Sequence, residues 1–354
     1  MVRRVFLHIG APKTGTTALQ TRLQGNAATL VERGVLVPMG EQGSGKRPAG
    51  LVLRAALELT GVTLGQRPEA LVGEWDRLVE QVTSTPYETT VISHEAFVRC
   101  DAATAATAVR DLGAGAEAHV VYTARDLGRQ LVSGWLEGLK NGGDDDLATH
   151  LARARSGDLP LRHAFDIPQV LGRWLDHVPA ERIHLLTVPP PGGDRDLLWR
   201  RFADLVGLED SWAPEAAGRT NESVGVPEAQ LLLALNRALE GSSKRGRPHH
   251  KLVRRHVARV LVGRDSPRVE VPPQDAAWLR AEVDHWIAWT TASGIDVVGD
   301  LDELRPVPTD AASWTDPGVP HPGLTEAAVV ALASVVAEVA GGDRPRVGTA
   351  GQRS

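Results

Sequence analysis

Residues 5–20 read VFLHIGAPKTGTTALQ, and this stretch decides the fold. Val5 to Ile9 form a short apolar run stopped by Gly10, which predicts a buried strand. From Thr16 onward apolar residues recur at three- and four-residue spacing as far as Gly34, which predicts a helix that opens straight after Gly15. Four more apolar runs follow: VLVP at 35–38, TVISHE at 90–95, AHVVYTAR at 118–125 and RIHLLTV at 182–188. Runs of this kind read as strands covered on both faces. The intervening segments, such as EALVGEWDRLVEQV, carry helical spacing. Strand and helix alternating in this way predict an α/β protein with a five-stranded parallel sheet flanked by helices.

After residue 225 helical patterns take over in PEAQLLLALNRALEG, HKLVRRHVARVLVG and DAAWLRAEVDHWIAWTTASG. The expected organisation is an α/β core over 1–225, a helical C-terminal portion over 226–304, a Pro-rich linker over 305–324, a C-terminal helix over 325–340 and a disordered tail over 341–354.

Composition narrows the function classes. A net charge of −5 gives no overall attraction to nucleic acid or an anionic membrane, so any anion site has to be local. Cys100 is the sole cysteine, which excludes an internal disulfide framework and a cysteine-clustered zinc site. The apolar run behind MVRR is too short for a signal peptide, and no segment approaches the ~20 apolar residues of a membrane helix. A cytoplasmic protein without a membrane span is expected.

The glycine turn between first strand and first helix carries the chemistry. Gly10 and Gly15 have the spacing of a triphosphate-binding loop, G-x-x-x-x-G-K-S/T, but Thr16 stands where that loop places its lysine. The lysine here is Lys13, inside the turn. The backbone N–H groups of Thr14, Gly15, Thr16 and Thr17 would converge at a helix N-terminus, where the dipole favours an anion. Lys13 would reach a bridging oxygen, and the Thr16 and Thr17 hydroxyls would add donors.

This loop resembles the 5'-phosphosulfate loop of sulfotransferases that use 3'-phosphoadenosine 5'-phosphosulfate (PAPS), above all the bacterial members that share the form HIGxPKTGTTxLQ. The resemblance implies a P-loop-type sheet, PAPS as sulfuryl donor, 3'-phosphoadenosine 5'-phosphate (PAP) as product and no metal. It also implies a second motif for the 3'-phosphate, a strand followed by Arg with Ser eight residues on. VVYTARDLGRQLVS supplies Arg125 and Ser133 at that spacing. An arginine fork and a hydroxyl on one helix face suit a terminal phosphate. Two departures stand out: the usual RNP or RDP is RDL here, and Ala18 replaces the tryptophan that follows GTT in many eukaryotic relatives.

TVISHEAF is the candidate catalytic segment, because a strand ending at Ser93 would deliver His94 and Glu95 to the carboxyl edge of the sheet. The family's base, a histidine or glutamate emerging near this point, implies Glu95, with His94 as the second candidate. The alternative makes His94 a capping residue and Glu95 a first-turn carboxylate favoured by the helix dipole. GRTNESVGVPEAQ offers Arg219, Asn221 and Ser223 as a loop over the nucleotide, or else as a cap and turn before the next helix. Lys140, on the helix after Ser133, reads as a solvated side chain.

Two further stretches imitate binding motifs. GEQGSGKR at 40–47 approaches a triphosphate loop, but Arg47 replaces the metal-binding hydroxyl, leaving a mobile loop as the reading. The basic run KRGRPHHKLVRRH at 244–256 lacks interleaved aromatics, so it reads as a solvated face rather than a nucleic-acid site. The function expected is sulfuryl transfer from PAPS to a hydroxyl or amine of a small-molecule, glycan or lipid acceptor. The alternatives are a Mg-dependent nucleotide phosphotransferase or NTPase, which needs a correctly placed lysine, and a non-catalytic PAP-binding module. Acceptor identity and oligomeric state stay open at this level.

Overall fold

The computed structural model describes residues 3–40, 50–194, 196–214, 224–239, 253 and 257–340. The chain divides into two compact units. One comprises Met1–Leu127, Pro160–Arg219 and Trp278–Pro306, and the other Gly128–Leu159, Thr220–Ala277 and Val307–Ser354. A single cut at residue 225 therefore does not describe the organisation: part of the first half joins the second unit, and most of the helix Ala276–Ser293 joins the first.

The first unit holds a parallel sheet of six strands: β1 (Arg3–Gly10), β2 (Val35–Leu36), β3 (Thr89–Ser93), β4 (Ala116–Ala124), β5 (Ile183–Thr187) and β6 (Asp296–Val298). Their order across the sheet is β2-β3-β1-β4-β5-β6. The five expected strands are all present. The sixth was not foreseen, because three residues with an exposed Asp296 carry no periodic signal. What holds β6 at the edge is specific: His184 Nδ1 lies 2.7 Å from Asp296 Oδ2, and Arg201 pairs with Glu303 just beyond the strand.

β1 sits between β3 and β4, and the chain leaving β1 runs toward β2 while the chain leaving β4 runs toward β5. Neighbouring strands whose connections diverge open a crevice at their carboxyl ends, the usual ligand position in open α/β sheets. The helix after β1, α1 (Thr16–Gly25), closes one face by burying Leu19 and Leu23 against Phe6, Val91, Trp199 and Phe202. Burying each leucine stabilises the unit by about 1.5–3 kcal/mol. Arg22 is buried with them, its guanidinium 4.3 Å over the Trp199 ring and its Nε 2.6 Å from the Ala213 carbonyl it donates to.

The second unit is helical. Leu127–Lys140 runs into it from its first residue, followed by Leu147–Ser156, Val226–Ala238 and Leu324–Val339. Asn236 Nδ2 donates to the carbonyls of Leu139 and Gly143 at 2.8 and 2.7 Å, tying the third of these helices to the end of the first. Glu228, fully buried, accepts from Arg264 Nε and Ser266 Oγ at 2.8 Å each. No helix among the described residues is long and apolar enough to cross a membrane. The tail at 341–354, the loop at 41–49 and most of the 244–256 basic run lie outside the described residues.

Candidate active site at the carboxyl edge of β1, β3 and β4

The turn after β1 is built from left-handed backbone. Gly10, Lys13 and Gly15 have φ of 92°, 68° and 86°. Such a conformation is uncommon for a residue with a side chain, and at Lys13 the tight turn imposes it. Gly15 is the N-cap of α1, and no side chain caps that helix. Among the described residues, nothing accepts a hydrogen bond from the N–H groups of Thr14, Gly15, Thr16 or Thr17. Four orphan donors at the start of a ten-residue helix form a partial positive charge ready for an anion.

The threonines divide their work. Thr17 is exposed and Thr16 buried beside the turn. The Thr14 hydroxyl faces inward, donating to the Ala11 carbonyl at 2.5 Å and meeting the Thr123 hydroxyl at 2.5 Å. Thr123 lies near the end of β4, and Ala11 N donates back to its carbonyl at 2.8 Å. One residue past β4, Arg125 is half-buried and its Nη1 donates to the Lys13 carbonyl at 2.9 Å. Lys13 and Arg125, read from separate motifs, are thus joined at one turn, and the guanidinium shapes that turn. Ser133 lies in the second unit, on the helix Leu127–Lys140, as does Lys140. Arg219, Asn221 and Ser223 lie outside the described residues.

β3 ends at Ser93, and His94 and Glu95 follow in a tight turn, Glu95–Arg99. His94 is the N-cap of that turn: its Nδ1 accepts the Ala96 N–H at 3.0 Å. The capping role set against catalysis at the sequence level is therefore occupied. An accepting Nδ1 places the proton of neutral His94 on Nε2. Burial lowers the imidazole pKa, with the Glu95 charge acting the other way.

Glu95 packs directly on the loop. A Cβ built on Gly10 would stand 2.9 Å from Glu95 Cβ and 3.1 Å from its Cα. Gln20, one turn into α1, donates to Glu95 Oε2 at 2.8 Å. Burial pushes the carboxyl pKa up, yet His94, Gln20, its own backbone N–H and His8 together hold it below the usual carboxylate range. At neutral pH both histidines are uncharged, so Gln20 and the backbone N–H maintain the carboxylate there.

Behind this surface lies His8, wholly buried in β1 and in register with Ser93. Its Nδ1 is 2.7 Å from Ser93 Oγ and its Nε2 3.3 Å from Thr123 Oγ1. Burial pushes its pKa down to about 4, Glu95 raising and His94 lowering it further. Neither His8 nor Gln20 was assigned a role from sequence. For His8 there was a signal: a histidine inside an apolar strand has to find partners when buried.

The chain was compared with protein-family models, with curated proteins and with solved structures. None of them matches. The site offers amides without an acceptor among the described residues and a lysine for an anion, an arginine at the same turn, and one ionised carboxylate against the first glycine.

Proposed function

We propose that the protein is a PAPS-dependent sulfotransferase that moves a sulfuryl group to a hydroxyl or amine of a small-molecule, glycan or lipid acceptor. The observation that carries this reading is the packing of Glu95 onto Gly10, because it sets a proton acceptor against a turn whose amides would take an anion. The donor set fits a 5'-phosphosulfate: N–H groups of Thr14 to Thr17 without an acceptor among the described residues, with Lys13 between the two glycines. Arg125 is the candidate for the 3'-phosphate. PAPS provides an activated sulfuryl group and a phosphate leaving group.

In the chemistry that follows, Glu95 takes the proton of the acceptor oxygen or nitrogen as that atom bonds to sulfur. The bond between sulfur and the bridging oxygen breaks, and its electron pair stays on the phosphate oxygen. Lys13 and the loop amides hold the charge that grows there, where preorganised donors give most. His94 is the weaker candidate for base, since Nδ1 is engaged with Ala96 and Nε2 bears the proton.

The test is transfer of radiolabelled sulfuryl from PAPS across a panel of sugar, lipid and small-molecule alcohols and amines. Wild type is expected to label at least one acceptor, and Glu95→Gln to lower kcat by about 10²–10⁴ with PAP affinity retained. Equal turnover by Glu95→Gln refutes the assignment of the base. PAP binding without any transfer favours a non-catalytic module.

A further inference from the structure

The hydroxyls and imidazole behind the site form one chain whose proton positions follow from counting. Thr14 Oγ1 donates its single proton to the Ala11 carbonyl, so toward Thr123 it accepts, and Thr123 Oγ1 donates to it. Thr123 then has no proton left for His8. His8 Nε2 must donate to Thr123 Oγ1, and Nδ1, bare, must accept from Ser93 Oγ. The His8 carbonyl in turn accepts the His94 N–H at 3.0 Å.

We propose that His8 is a positioning residue that locks the anion-binding turn to the strand end carrying Glu95, through a one-way hydrogen-bond chain from Ser93 to the Ala11 carbonyl. The proposal deepens the sulfotransferase reading and rests on it for the identity of the anion. Two links meet on His8: its side chain holds Thr123 and through it Thr14, while its neighbour in register is Ser93, next to His94 and Glu95. All its members are buried, where an unmade hydrogen bond is costly. A change at the turn is therefore transmitted to the base-bearing strand end as a change in which nitrogen of His8 holds the proton.

The test uses the whole chain with 15N-labelled histidine, the His8 signals being assigned by their loss in His8→Gln. Wild type should show a protonated, pyrrole-like Nε2 and a bare, pyridine-like Nδ1. In Thr123→Val, which removes the acceptor of the Nε2 proton, the proton should move to Nδ1 and be donated to Ser93. A charged His8 or an Nδ1–H tautomer in wild type, or a tautomer indifferent to Thr123→Val, overturns the proposal. Calorimetry with PAP supplies the second readout. Gln presents an N–H where Nε2 stands, so His8→Gln should bind within a few-fold of wild type. Asn presents only the acceptor near Nδ1, so His8→Asn should weaken binding roughly tenfold. Equal losses in both variants make His8 merely structural and refute the role. If wild type fails to bind PAP, the donor reading falls, and the two tautomer measurements still decide whether the chain exists.

Discussion

Adding one methyl at Gly10 examines the contact on which the site is built. Gly10→Ala meets two costs. The left-handed backbone, φ 92°, opposes a side chain by about 1–2 kcal/mol. The new Cβ also falls 2.9 Å from Glu95 Cβ and 3.1 Å from Glu95 Cα, and because one of these atoms is backbone the strand end itself has to move. Overpacking of that kind adds about 1–3 kcal/mol. The sum, about 2–5 kcal/mol, corresponds to a fall in Tm of roughly 5–15 °C for a unit of this size. Gly34→Ala is the internal control: φ is 81°, but nothing lies within 4 Å of the added Cβ, so only the backbone cost applies. Scanning calorimetry on both variants separates packing from conformation. If Gly10→Ala is no less stable than Gly34→Ala, Glu95 does not press on the turn and the geometry argued for the site is wrong.

Buried histidines predict acid sensitivity. His8 has its pKa lowered from 6.5 to about 4 on folding, so between those values the unfolded chain binds the proton and the folded chain does not. Stability at pH 7 is thus free of this penalty and falls as pH drops from 6.5 toward 4, by up to about 3 kcal/mol for His8. Thermal scans over that window should show a slope that His8→Gln reduces, and an unchanged slope in the variant contradicts the assignment. Gln20→Leu removes a donor that lowers the Glu95 pKa, so the acid limb of the transfer-rate profile should move to higher pH; an unmoved limb means Gln20 does not tune the carboxylate.

Much of this was legible from residue pattern, and the failures have physical causes. The five expected strands announced themselves because strands buried on both faces are apolar without interruption. Lys13 drew attention through the spacing of Gly10 and Gly15, and Arg125 through the strand, Arg and Ser order that the family resemblance implies. Their joining through the Lys13 carbonyl was not legible, since it depends on how β1 and β4 sit side by side. β6 escaped because its place is fixed by His184 and by Arg201 with Glu303, contacts between residues remote in sequence. His94 and Glu95 were read at the end of β3, but the hydrogen bond from the Ala96 N–H to His94 depends on the turn that follows the strand. The discontinuous division into units had no local signal, because it reflects which segments pack together rather than any change in composition.

The most direct test of the central claim is calorimetric titration with PAP and, separately, with ATP and Mg²⁺, on wild type, Lys13→Ala and Arg125→Ala. The account predicts tight binding of PAP, little binding of Mg-ATP, and a loss of roughly tenfold or more in PAP affinity for each substitution, since each removes a charged donor. A preference for Mg-ATP, or PAP binding indifferent to Lys13 and Arg125, would contradict it and assign the turn to another anion.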